Sequence, residues 1–149
     1  MLETLIGWMR PFPLRGKGRV FDPVTPRHGL RTVRVWGDYR MTLDLADVLQ
    51  RQIFMGCFGR DMTRWALALL PTGGTFLDVG AHMGYFSLLA AWRVGGAGQV
   101  LAVEPNPAVF AALAESVRGN GLANVRAERV ALAEADGTLS LYVPPPEER

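Results

Sequence analysis

From residue 75 onward the chain is a succession of short apolar runs separated by glycine, asparagine and proline. Phe76, Leu77 and Val79 form a run of strand length, too short for a helix on its own. Gly80 follows, and Gly84 leads into the apolar segment Tyr85 to Val94, which predicts a helix. Gln99 to Val103 is a second strand-length run, and it ends on Glu104. Asn106 is a good N-cap, and Pro107 suits the first helical position, where its missing N–H costs nothing. Val109, Phe110, Leu113 and Val117 then recur at helical spacing as a buried stripe. Gly119-Asn120-Gly121 ends that helix, and Asn124 to Glu128 starts a third strand, with Ala131-Leu132 at its end. Thr138 to Val143 alternates apolar and polar and predicts one more strand. Strand, helix, strand, helix, strand in that order predicts an α/β class with a parallel, right-handed arrangement.

The upstream pattern is less regular. Four prolines and three glycines between residues 10 and 29 leave room only for a short strand near Val20-Phe21. Arg31 to Trp36 alternates as a half-buried strand, Gly37-Asp38 turns the chain, and Tyr39 to Leu43 is a second short strand. Asp44 is placed to cap a helix running to about Phe54, which Gly56 ends. A further helix from about Asp61 to Leu70 is stopped by Pro71. Trp65, Trp92 and Phe110 fall at helical positions and read as core. The expected organisation is a basic Pro/Gly-rich arm over 1–30, a lead-in over 31–74, the α/β unit over 75–143 and a tail over 144–149.

Composition narrows the class. Half of the 149 residues are hydrophobic and a fifth are charged, which suits a globular domain with a real core. No apolar run reaches transmembrane length, and Met1 to Met9 makes a poor signal peptide, so a cytoplasmic location is expected. The single cysteine, Cys57, excludes an internal disulfide framework and a cysteine-rich zinc site. Residues 1–40 carry eight Arg or Lys against three acids, and the remainder carries eight against eleven. The basic excess thus belongs to the arm, which reads as a solvated segment with no specific nucleic-acid partner.

Candidate chemistry concentrates at the first glycine turn. Gly80 lets a ligand approach bare backbone, and the strand-to-helix order predicts free N–H groups and a positive helix end there. Glu104 lies 20 residues past Gly84, near the spacing at which a strand-end acid accepts from ribose hydroxyls. A nicotinamide-dependent oxidoreductase uses similar parts, but its Gly-x-Gly-x-x-Gly fingerprint is replaced here by Gly80-Ala81-His82-Met83-Gly84. A non-catalytic interaction protein on the same fold is the other alternative. His82 sits inside the turn and is a poor candidate for a base.

Three segments carry a family resemblance. Asp78 to Ser87, Val103-Glu104-Pro105-Asn106-Pro107, and Asn120-Gly121-Leu122-Ala123-Asn124-Val125 resemble the FkbM-type methyltransferases. Those are S-adenosylmethionine-dependent O-methyltransferases with a Rossmann-like fold, and Arg40 to Asp44 looks like their lead-in. The resemblance implies that Asp78, Gly80, Ala81, His82 and Gly84 wrap the methionine part of the cofactor. It implies that Glu104 holds both ribose hydroxyls, with Asn106 beside the ribose or adenine edge and Ala131 near the adenine. The acceptor would be a hydroxyl on a sugar, lipid or polyketide-like molecule. His82 departs from the asparagine usual in the family. Nothing after Val143 resembles the acidic strand-end motif and closing strands of that family, so an incomplete sheet, no catalytic base and possible self-association are expected.

Overall fold

The computed structural model describes residues 16–143, so the opening segment, the first part of the basic arm and the 144–149 tail lie outside the described residues. The described chain separates into two compact units, one formed by residues up to 33 with 41–62, the other by 34–40 with 63 onward.

In the first unit a short helix α1 (Lys17–Phe21) stands where a strand near Val20-Phe21 was expected. Local bonds decide this: Val20 N–H donates to Gly16 C=O and Asp22 N–H to Gly18 C=O. Strands β1 (Leu30–Arg34) and β2 (Arg40–Asp44) pair, and β2 buries Met41 and Leu43 while its alternate residues stay exposed. Helix α2 (Val48–Phe54) starts later than expected, because Asp47 and not Asp44 is its N-cap, accepting from Gln50 N–H at 2.9 Å. Asp44 instead turns the chain, its Oδ1 accepting from Ala46 N–H. Buried Arg51 donates from Nη1 to the carbonyls of Leu45 and Ala46, anchoring that same turn. Helix α3 (Arg60–Leu69) begins in this unit and runs into the second.

The second unit holds a three-stranded sheet in the order β3 (Thr75–Val79), β4 (Gln99–Val103), β5 (Val125–Glu128), with every pair parallel. Helices α4 (Tyr85–Val94) and α5 (Pro107–Gly119) are the two crossovers. Register places Asp78, Ala102 and Ala127 side by side. Asp78 meets Ser87 of α4, while Ala102 and Ala127 pack with Leu113, Phe110 and Val117 of α5, so both helices cover the same face. Two right-handed crossovers advancing in one direction across a sheet require this. The other face carries Leu77, Val79 and Leu101, and Leu77 and Val79 are 51% and 58% exposed. Gly84, the N-cap of α4, leaves room for Leu113 of α5, since a Cβ there would stand 2.7 Å from Leu113 Cδ1.

Three expectations are corrected in this unit. Residues 129–143 contain no strand, and Leu139, Leu141 and Tyr142 are exposed. Alternation gives a segment two faces, but a strand also needs a neighbour's backbone groups, and none of the described strands pairs with it. Trp65 and Trp92 are not core residues; they are 66% and 46% exposed. Trp92 lies beside Trp36, with ring centroids 6.4 Å apart, and Trp36 in turn lies 5.6 Å from Tyr85. Phe110 is partly buried against the core, as its position in α5 predicts.

Candidate functional site

Parallel pairing brings the ends of β3 and β4 to one edge of the sheet, and the glycine turn and Glu104 meet there. Val103 C=O accepts from both Gly80 N–H (2.9 Å) and Ala81 N–H (3.0 Å). His82 N–H donates to Glu104 Oε2 at 2.9 Å, and Gly84 N–H donates to Ala81 C=O at 2.9 Å. The expectation of free N–H groups is therefore overturned at these four residues. The sequence shows the turn but not the carbonyl and carboxylate that the neighbouring strand brings to it. The result is a turn held rigid by the end of β4.

Glu104 is 8% exposed, and each of its oxygens takes one backbone donor: His82 N–H on Oε2 and Asn106 N–H on Oε1, the latter at 3.0 Å. An ionised carboxylate offers about four acceptor positions, so about two remain for a ligand. Asn106 caps α5, its Oδ1 accepting from Ala108 N–H (3.0 Å) and Val109 N–H (3.4 Å). Its capping role was legible from Asn106-Pro107.

The two glycines of the turn serve different purposes. Gly80 has φ +72°, and a Cβ on it would meet no atom within 4 Å, so open space lies against its backbone. Gly84 has φ +93°, and its missing Cβ makes room for Leu113. Gly80 thus leaves its backbone open, and Gly84 is a packing glycine. His82, at φ +53°, is the one non-glycine residue in the left-handed region among the described residues. Asparagine and histidine both tolerate that region better than most side chains. Ala81 and Met83 are buried, so they pack the base of the turn.

Asp78 lies beneath the turn, 9% exposed, with Oδ2 accepting from Ser87 Oγ at 2.5 Å. Burial raises its carboxyl above the usual value, and the Ser87 hydroxyl and N–H oppose that rise. Ser87, fully buried, was not singled out from the sequence. The only signal available was a serine in the first turn of a helix whose N-cap, Gly84, has no side chain. Ala131 stands apart: it is exposed in the irregular segment after β5, and no described hydrogen bond joins it to the cluster. Among the described residues no group of three His, Cys, Asp or Glu side chains could hold a metal ion.

A groove of the second unit, about 840 Å³, lies at the opposite edge of the sheet. Thr75, Gln99 and Val125, which begin the three strands, line it together with the loops 96–98 and 120–124. It contains no buried acid. The chemistry-bearing cluster is at the other edge, and we place the candidate site there.

No family model and no curated protein sequence matches the chain. Solved structures do. TYW2 of M. jannaschii, in complex with AdoMet, is similar with a TM-score of 0.51 and 24% identity over 69% of this chain and 44% of that one. TYW2 of P. horikoshii, in complex with MeSAdo, gives 0.51 and 19% over 83% of this chain and 50% of that one. The SAM-dependent O-methyltransferase TM0748 of Thermotoga maritima gives 0.46 and 18% over 76% and 43%. At such identities the likeness is one of fold. The chain has an α/β, Rossmann-like fold with a parallel sheet, as those two TYW2 structures have, and it spans half or less of each of the three proteins.

Proposed function

We propose that this chain binds S-adenosylmethionine at the carboxyl edge of its sheet and serves S-adenosylmethionine-dependent methyl transfer. The observation that carries the reading is the meeting of a buried strand-end acid, Glu104, with a glycine turn that leaves open space at Gly80. AdoMet and MeSAdo in the two TYW2 complexes agree with it.

In this reading the turn from Asp78 to Gly84 wraps the methionine part, with Gly80 giving backbone access. Glu104 accepts from both ribose hydroxyls on its remaining lone pairs, and Asn106 lies near the ribose or adenine edge through its amide nitrogen. Ala131 is assigned to the adenine by resemblance alone. The bound sulfonium supplies an electrophilic methyl group, so the protein's task is mainly to hold and align it. At a finer level we assign the chain to FkbM-type O-methyltransferases, acting on a sugar, lipid or polyketide-like hydroxyl in the cytoplasm. The resemblance of the three sequence segments supports this, with His82 departing from the family's usual asparagine. No helix among the described residues is long and apolar enough to cross a membrane.

Calorimetric titration of the chain with S-adenosylmethionine and, separately, NAD tests the proposal. Saturable binding of the first and none of the second is expected. Binding of NAD alone, or of neither, overturns it. His82 and Tyr85 favour the expected outcome, because a dinucleotide fingerprint that starts at Gly80 needs glycine at both positions.

A further inference from the structure

Helix α4 begins without a conventional cap. Its N-cap is Gly84, which has no side chain, and its first turn contains no acid. A buried helix start with orphan N–H groups is costly unless another part of the chain answers them. Asp78 ties that first turn down from the preceding strand, its carboxylate accepting from the Ser87 hydroxyl at 2.5 Å. Ser87 is the third residue of the helix and fully buried. The bond between Asp78 and Ser87 therefore closes a ring of chain that contains the whole turn from Gly80 to Gly84. Glu104 holds the same turn from the β4 side through His82 N–H.

We propose that Ser87 is a positioning residue for the ligand-facing turn: with Asp78 it fastens the two ends of the turn, so the space beside Gly80 is formed before a ligand arrives. This rests on the S-adenosylmethionine reading for its consequence in binding, but not for the fastening itself. A preorganised turn loses little freedom on binding, and that lowers the cost of association. With Ser87 replaced by alanine, the buried carboxylate loses a donor and the turn loses its closure.

The test combines amide hydrogen exchange of the ligand-free protein with calorimetric titration of S-adenosylmethionine, on wild type, Ser87→Ala and Asp78→Asn. In Ser87→Ala, exchange over residues 79–86 rises about tenfold or more, with residues 125–128 unchanged, as loss of one charge-assisted bond implies. Affinity for S-adenosylmethionine falls by about the same factor. Asp78→Asn keeps an oxygen that accepts from Ser87, so its turn exchange stays close to wild type. If Ser87→Ala does not fold, the double variant Asp78→Asn with Ser87→Ala strands no charge, and its turn exchange is raised in the same way. A folded Ser87→Ala or double variant with unchanged turn exchange overturns the proposal. So does a loss confined to melting temperature, with affinity and turn exchange as in wild type. Should wild type bind no S-adenosylmethionine, the functional reading fails while the exchange measurements still decide the role of Ser87.

Discussion

The two edges of the three-stranded sheet are built from the same kinds of turn and do different things. At the amino edge, glycine loops close the chain by main-chain bonds: Gly73 N–H to Val94 C=O, Gln99 N–H to Gly74 C=O and Val100 N–H to Asn124 C=O. Two asparagine side chains take part, Asn124 donating to Gly95 C=O and Asn120 to Ser116 C=O, and no acid is buried there. At the carboxyl edge two acids, Asp78 and Glu104, are buried, and both are spent on backbone or hydroxyl donors of the turn. The groove at the amino edge did not make it the better site. Burying carboxylates is expensive unless they are bonded, so their concentration at one edge marks where the fold spends stability on chemistry.

The largest expected effect tests the amino edge as a purely structural closure. A Cβ on Gly98 would stand 2.4 Å from Val94 Cβ and 2.6 Å from Gly74 O, neither of which can move without the backbone. Gly98→Ala is expected to cost about 3 kcal/mol or more, in the range of severe overpacking. Urea unfolding measures it; a variant as stable as wild type would show that this edge is loosely built.

Next in size is Glu104→Ala at the opposite edge. It orphans the N–H groups of His82 and Asn106 and removes the proposed ribose acceptor. A stability loss of about 1–2 kcal/mol is expected, since the opened space admits some water to the orphaned donors. Affinity for S-adenosylmethionine should fall about tenfold or more, because charge-assisted bonds to the hydroxyls are lost. Equal affinities for a folded Glu104→Ala and wild type would remove the ribose assignment and leave Glu104 as a latch on the turn alone.

These effects also mark what the sequence could and could not show. The order of β3, α4, β4, α5 and β5 was legible because each element is short, apolar and punctuated by glycine or Asn-Pro, which are local signals. The convergence of Asp78, Gly80 and Glu104 followed from parallel pairing. The occupied N–H groups of the turn were not legible, because their acceptors come from another strand. Ser87 was invisible for the same reason. The helix at Lys17–Phe21 and the cap at Asp47 turn on local hydrogen bonds that propensity alone does not rank. Thr138 to Val143 failed as a strand because pairing is a property of a neighbour and not of the segment.

A smaller effect appears as a pH slope. Burial holds the Asp78 carboxyl above its usual value of 3.8 in the folded chain. Between the unfolded and the folded pKa the native state binds more protons than the unfolded one, so stability falls as pH rises through that window. Above the folded pKa the penalty is fully present, and below 3.8 it is absent. Asp78→Asn removes the charge and keeps an acceptor for Ser87. The variant should therefore gain on wild type as pH rises through the window and hold that advantage at neutral pH. Unfolding curves across the acid range measure it, and an advantage that shrinks with rising pH would reverse the assigned cause.

The smallest effect is expected at Glu128, which is the sharpest control for Glu104. The two residues are neighbours in the sheet, for Glu104 N–H donates to Glu128 C=O at 3.1 Å. Their side chains differ in what they do. Glu128 makes a 2.7 Å ion pair with Arg126, whose side chain is 78% exposed. Alternation along β5 puts this pair on the sheet face opposite α5, since Ala127 packs against the helix side. An exposed pair of this kind contributes less than about 1 kcal/mol and is screened by salt. Glu128→Ala should thus shift stability by roughly 0.5 kcal/mol or less, and the shift should vanish at high salt. Its affinity for S-adenosylmethionine should equal that of wild type. A tenfold loss of affinity in Glu128→Ala would mean that the ligand reaches across the end of β5, and the site would then have to be redrawn around both acids.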